Sequence, residues 1–157
     1  MYECRFELAG FDALDNSSKS LIILELVGAL VVIGMRELRR LPNLPDLYEL
    51  HERGKVKYSY QSEQDDWKDV MRVLQTGLGS CNSLAAFRSA ELQNQGVDAR
   101  PYIRSQPGNE DGDGGILDVF HVIVRIFDEH GQPTGEWEDP AASLGMRVPE
   151  GQNIAPF

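Results

Sequence analysis

Cys81, His121 and Asp139 follow one another along the chain in the order that a cysteine–histidine–aspartate relay needs. In such a relay a thiolate attacks an acyl carbon, an imidazole takes and returns the proton, and a carboxylate fixes the imidazole's tautomer and orientation. Cys81 follows the glycine-bounded turn Gly77-Leu78-Gly79 and falls in the first turn of a helix for which Ser80 is the candidate cap. Backbone N–H groups and the helix dipole favour the thiolate there. His121 sits in Asp118–Phe127, the strongest strand pattern in the chain. It shares a mixed face with Val119, Ile123 and Arg125, opposite an apolar face of Phe120, Val122, Val124 and Ile126. Asp139 ends the segment Trp137-Glu138-Asp139-Pro140 at a strand end. Singly, each has a plainer reading: an inert packed thiol, a half-exposed strand histidine, and an aspartate satisfying a turn. Adjacent antiparallel strands joined by a short turn can set His121 beside Asp139, and that conjunction gives the three residues their weight. Cys4, near the start of a weak strand over Tyr2–Leu8, offers only packing, and His51 and His130 lie in loop-like sequence that reads as solvated.

The elements that must position these residues can be read from periodicity. Leu21–Ile33 is almost wholly apolar but too short to cross a bilayer, and it carries Glu25, so it reads as the centre of a buried helix over 18–40. Ser17 and Ser18 are its candidate N-caps, Arg36, Arg39 and Arg40 suit its C-terminal end, and Pro42 and Pro45 stop it. A helix apolar on nearly every face calls for cover all round, from this domain or from a partner chain. Leu41–Tyr48 reads as a proline-punctuated connection and Lys55–Tyr60 as a strand. Gln64–Gln75 has helical spacing at Trp67, Val70, Met71 and Leu74. A further helix runs from Ser80 to about Gln95, with Leu84, Ala85, Phe87, Ala90 and Leu92 available for burial and Gly96 to end it. Strands follow at Val97–Arg104, Asp118–Phe127 and Glu136–Glu138, the last two joined by a turn at Gly131–Gly135. Helices first and strands later, with short links between strands, predict an α+β fold whose sheet is a mostly antiparallel meander.

Composition narrows the function. The 157 residues carry 15 Lys plus Arg against 25 Asp plus Glu, a net charge of −10, which argues against nucleic-acid binding. Two cysteines outside any CxxC cannot make a disulfide framework, so a reducing compartment is expected. The opening residues lack a basic n-region with an apolar run, so no secretory signal is expected. The loop Asn109–Ile116 mimics the first half of a calcium loop, yet Phe120 falls where a bidentate glutamate is required, so it reads as an acidic loop and no metal is expected. There is no HExxH, Walker loop or GxGxxG, hence no expected cofactor.

Three stretches in order resemble the transglutaminase-like superfamily. Thr76–Ala86, continuing through Ala90-Glu91-Leu92 to Gly96-Val97-Asp98-Ala99-Arg100-Pro101, is similar to its nucleophile helix and the strand after it. Val119–Val124 resembles its histidine strand, and Glu136–Ala141 with Leu144-Gly145-Met146 resembles its tryptophan then Asp-Pro motif. The resemblance covers residues 63–147 and leaves 1–60 as an N-terminal extension of a single domain, 1–157. It implies a papain-like α+β fold and a triad of Cys81, His121 and Asp139. Gln75, six residues before Cys81, has the spacing of the papain-type oxyanion glutamine, with the Cys81 N–H as second donor. Many relatives carry acidic residues beside the cysteine; Ser80, Asn82 and Ser83 stand there in this chain, which removes negative charge near the thiolate. The implied activity is acyl transfer on an amide, a peptide bond or a glutamine carboxamide, with hydrolysis and transamidation both open. The stand-alone form with an N-terminal extension resembles phage and prophage proteins, which implies a virion-associated or host-cytoplasmic setting, with virion proteins as partners beside a peptide or protein substrate. The alternative is a non-enzymatic virion module (neck, tail or scaffold) that keeps the fold. A small-molecule N-acyltransferase would use the same triad but has no cofactor-binding signature here.

Overall fold

A computed structural model of the chain describes residues 13–60, 67–106 and 119–147. The expected strand at Tyr2–Leu8 with Cys4, and the acidic loop 109–116, lie outside the described residues. Along the chain run α1 (Asn16–Leu38), α2 (Leu47–Glu52), β1 (Lys57–Tyr58), α3 (Val70–Thr76), β2 (Leu78–Gly79), α4 (Cys81–Asn94), β3 (Asp98–Gln106), β4 (Val119–Phe127), β5 (Pro133–Glu138) and α5 (Pro140–Ser143).

The long first helix starts earlier than its serines suggest. Asp15 is the cap, one carboxylate oxygen accepting from the Ser18 N–H and the other from the Ser18 hydroxyl, both at 2.9 Å. Ile23, Val27, Val31, Gly34 and Leu38 form its buried stripe, at spacings of three and four. This stripe packs mainly on α4, with further contact to α3 and β3. Among the described residues this domain covers only that stripe, and Leu21, Val32 and Ile33 stay exposed. Within the described residues no helix is long and apolar enough to cross a membrane.

The connection expected at Leu41–Tyr48 contains the start of α2. Asp46 accepts the Glu49 N–H at 2.9 Å, and this local capping decides the helix where hydrophobic periodicity is too short to reveal it. His51 is therefore not in a loop; its Nδ1 is 2.8 Å from the Val56 carbonyl oxygen. Of the segment expected to be helical from Gln64, residues 64–66 lie outside the described residues, and α3 begins at Val70, where Asp69 caps it through the Arg72 N–H at 2.8 Å. Gly77 ends it with φ +68°, and a Cβ at that position would lie 2.7 Å from the Lys55 carbonyl oxygen. Only glycine can make this turn, which passes the chain into β2 and straight on to Cys81.

At the centre lies α4, with Leu84, Ala85, Ala86, Phe87, Ala90 and Leu92 all buried. It packs on α1 from one side and on β3 and β4 from the other. The sheet is the expected antiparallel meander in the order β3-β4-β5, so the fold is α+β with α4 laid against an antiparallel sheet. Arg104 pairs with His121, and Val124 with Glu138, and the β4–β5 ladder shifts register between Arg125 and Phe127. A small parallel pair, β1 with β2, was not foreseen: Tyr58 sits opposite Gly79, and the Ser59 N–H donates to the Gly79 carbonyl at 3.0 Å.

Candidate active site

The start of α4 presents Cys81 at its first helical position, half-buried and unbridged. Ser80 occupies the N-cap position with extended backbone, and its carbonyl accepts the Leu84 N–H at 2.9 Å. Its hydroxyl makes no capping bond and pairs instead with the Ser83 hydroxyl at 3.3 Å. The Ser83 hydroxyl in turn accepts the Lys68 N–H at 2.8 Å, tying the segment before α3 to the first turn of α4. The Cys81 thiol lies 3.7 Å from Asn82 Oδ1, a weak contact available to an S–H donor.

His121 and Asp139 meet as adjacent strands allow. His121 Nε2 lies 2.8 Å from Asp139 Oδ2, and both residues are buried. A carboxylate only accepts, so Nε2 carries hydrogen and, in the neutral ring, Nδ1 is left with its lone pair. Cys81 supplies His121's other partner. Burial disfavours the imidazolium, but hydrogen bonds to Asp139 and Cys81, with the negative charge of both, outweigh it and raise His121 from 6.5 to about 9. The same Asp139 also caps α5: Oδ1 accepts the Ala142 N–H at 3.0 Å, which holds the carboxylate in place for the histidine. The three predicted site residues therefore come together. Gln75 is placed differently, exposed in the last turn of α3, with no hydrogen bond to Cys81 or His121 among the described residues.

A buried polar cluster fixes α4 against the strand that ends in Asp139. Arg88, two turns after Cys81, grips Glu138 with Nε at 2.7 Å and Nη2 at 3.1 Å, and reaches Glu91 with Nη1 at 2.7 Å. Tyr48 donates its hydroxyl to Glu138 at 2.7 Å, and its ring lies 4.6 Å from the guanidinium carbon. Glu91, wholly buried, also accepts the Leu47 N–H at 3.2 Å. Burial pushes the Glu91 carboxyl up despite Arg88, whereas Arg88 and Tyr48 hold Glu138 below the usual carboxylate value against its own burial. Three elements (α2, α4 and β5) are thereby locked in one register beside the strand end that carries Asp139.

No protein-family profile and no curated protein match this sequence. Two solved structures are similar in backbone. One is the periplasmic domain of TgpA from Pseudomonas aeruginosa, determined with ethylmercury bound, at 19% identity and a TM-score of 0.42 over 77% of this chain and 45% of that one. The other is a protein from Cytophaga hutchinsonii named as a candidate cysteine protease, at 13% identity and a TM-score of 0.38 over 83% of this chain and 44% of that one. The chain thus spans less than half the length of either structure.

Two features of the site escaped sequence reasoning. One is the Arg88–Glu91–Glu138 cluster; its signal is a pair of opposite charges three apart on a helix whose neighbours Phe87, Ala90 and Leu92 are otherwise small or apolar. The other is Tyr58. Its strand runs beside the turn leading to Cys81, its N–H donates to the Leu144 carbonyl at 3.0 Å, and its ring is half-buried against the core. Burial foremost, then the negative charges of Cys81, Tyr60 and Asp139, push the phenol up to about 12. Nothing in the sequence pattern Lys-Val-Lys-Tyr-Ser-Tyr distinguishes this tyrosine from an ordinary strand aromatic. Among the described residues, no three of His, Cys, Asp and Glu come together as a metal site.

Proposed function

We propose that the chain is a cysteine-dependent acyl-transfer enzyme acting on an amide, a peptide bond or a glutamine carboxamide. The observation that carries this reading is the His121–Asp139 pair, 2.8 Å apart through Nε2, with Cys81 at the start of α4 close enough to add to the basicity of His121. The Cys81 sulfur adds to the acyl carbon, and the amine leaves with the proton that His121 held. Water on the resulting thioester gives hydrolysis and an amine gives transamidation. The order of the three sequence motifs supports the same chemistry.

The test is the pH dependence of iodoacetamide alkylation at Cys81, read by peptide mass spectrometry with Cys4 as the internal reference and a His121→Ala variant as the control. A functioning pair makes Cys81 react faster than Cys4 at pH 7 and lose that advantage without His121. Equal reactivity of the two thiols in the parent would sink the proposal. A second reading, a structural assembly module that keeps the fold, draws on the outward Leu21, Val32 and Ile33 of α1. Stable association with other chains, unchanged in Cys81→Ala and without Cys81 reactivity, would favour it.

A further inference from the structure

We propose that Tyr58 is a catalytic residue of this site, its hydroxyl donating a hydrogen bond to the oxyanion that forms when Cys81 adds to the acyl carbon. The assignment rests on the acyl-transfer reading above and offers a side-chain donor in place of Gln75, which is exposed on α3. The placement comes from the backbone. Tyr58 pairs with Gly79, two residues before Cys81, while its own N–H is bonded to the Leu144 carbonyl just beyond the helix that Asp139 caps. The short strand β1 therefore bridges the nucleophile turn and the acid turn. Buried Val56 anchors it from the neighbouring position of the same face.

The hydroxyl is also free for the task. Tyr58 makes no side-chain hydrogen bond within the described residues, whereas Tyr48, equally half-buried, is committed to Glu138. Half-burial raises the phenol further above neutral pH, so its O–H is present to donate. A donor there is poised for a new negative charge while staying neutral itself.

In the step, the sulfur–carbon bond forms as the carbonyl π pair moves onto oxygen. That oxyanion accepts from Tyr58 Oη–H and from the Cys81 backbone N–H, one of the unpaired amides at the start of α4. On collapse the pair returns to reform the carbonyl, the carbon–leaving-group bond breaks, and the departing amine takes the proton from His121. Tyr58 keeps its proton throughout.

The experiment compares two reagents on the full chain and on Tyr58→Phe, which keeps the ring and loses only the hydroxyl. Alkylation by iodoacetamide displaces iodide at a saturated carbon and forms no oxyanion; acetylation by p-nitrophenyl acetate passes through one. Both are read at Cys81 by mass spectrometry, with thermal unfolding to verify the fold. The expected result is acetylation slowed about 100- to 1,000-fold, at unchanged alkylation rate and pH profile, by analogy with loss of one oxyanion donor. Acetylation within about twofold of the parent overturns the assignment while leaving the nucleophile reading intact. Slowing of both reactions alike also overturns it, since Tyr58 would then be supporting the thiolate–imidazolium pair. A parent Cys81 that neither outpaces Cys4 with iodoacetamide nor acetylates brings down the acyl-transfer reading and Tyr58's role with it.

Discussion

Removing the two partners of His121 one at a time should dismantle its raised basicity in steps. The rise from 6.5 to about 9 is a net quantity. Burial of a ring that is 7% exposed opposes the imidazolium, and Asp139 with Cys81 outweighs that penalty by about 3 kcal/mol, at about 1.4 kcal/mol per pH unit. In Asp139→Asn the side-chain oxygen can keep the Ala142 N–H, so α5 stays capped, while the amide NH2 now faces Nε2. The neutral ring must then place its hydrogen on Nδ1, the wrong tautomer for a base beside sulfur. The imidazolium loses one negative neighbour, and Cys81→Ala removes the other. Each single variant should titrate below about 9, and the double variant, with burial alone acting, below the ordinary 6.5. The assay is the pH titration of the His121 Cε1–H resonance. Stability should follow the same signs. A folded value above the unfolded one gives stabilisation that is complete below about 6.5 and lost as pH rises through about 9. The gap between parent and Asp139→Asn in urea unfolding should thus be widest near pH 6 and narrow by about pH 10, leaving the hydrogen bond of the neutral ring. A double variant whose His121 still titrates at 6.5 or higher would refute this balance of burial against charge.

Other perturbations follow from the packing. Arg88→Leu leaves Glu91 buried without its cation and should cost about 3–5 kcal/mol in urea unfolding, whereas Arg53→Ala, which removes an exposed helical pair with Glu49, should cost less than about 0.5 kcal/mol. Equal costs would mean that the buried cluster does not hold α4 to β5. Two glycines of α1 should respond with opposite signs. A Cβ at Gly34 would lie 2.8 Å from Val70 Cγ2 and 3.1 Å from Ala90 Cβ, so Gly34→Ala should destabilise by about 1–3 kcal/mol. Nothing lies within 4 Å of a Cβ at Gly28, so Gly28→Ala should stabilise by about 0.5–1 kcal/mol through helix propensity, and thermal unfolding would separate the two.

The sequence carried those parts of the fold whose causes are local. Alternation along Asp118–Phe127 revealed β4 and its faces, the Ser80–Gln95 pattern revealed α4 nearly to the residue, and short links between strands implied the antiparallel meander. The contact of His121 with Asp139 was legible because strand adjacency is itself a local consequence of a short turn. The missed elements depend on interactions that hydrophobic spacing does not record. α2 hangs on one aspartate cap after a proline-rich stretch, and α3 starts late because Asp69 captures an N–H that periodicity alone would have left inside a longer helix. The parallel pairing of β1 with β2 joins segments with α3 between them, so no turn signal announces it. Tyr58 and the Arg88 cluster are products of that tertiary pairing and of burial, which is why composition gave no hint of either.

The wiring of the site has a consequence for how it comes into being. His121 and Asp139 are 18 residues apart on strands joined by one tight turn, so their contact closes a short loop and needs only a hairpin. Cys81 is more than twice as far from His121 along the chain and lies on a separate helix that packs against the sheet. The acid–base half of the relay can therefore exist before the thiol joins it. A nascent or partly unfolded chain would then carry a held imidazole and an unguided cysteine, and nucleophilic reactivity would appear only as α4 seats. Under the proposed function, reactivity at Cys81 would report the seating of α4 on the sheet.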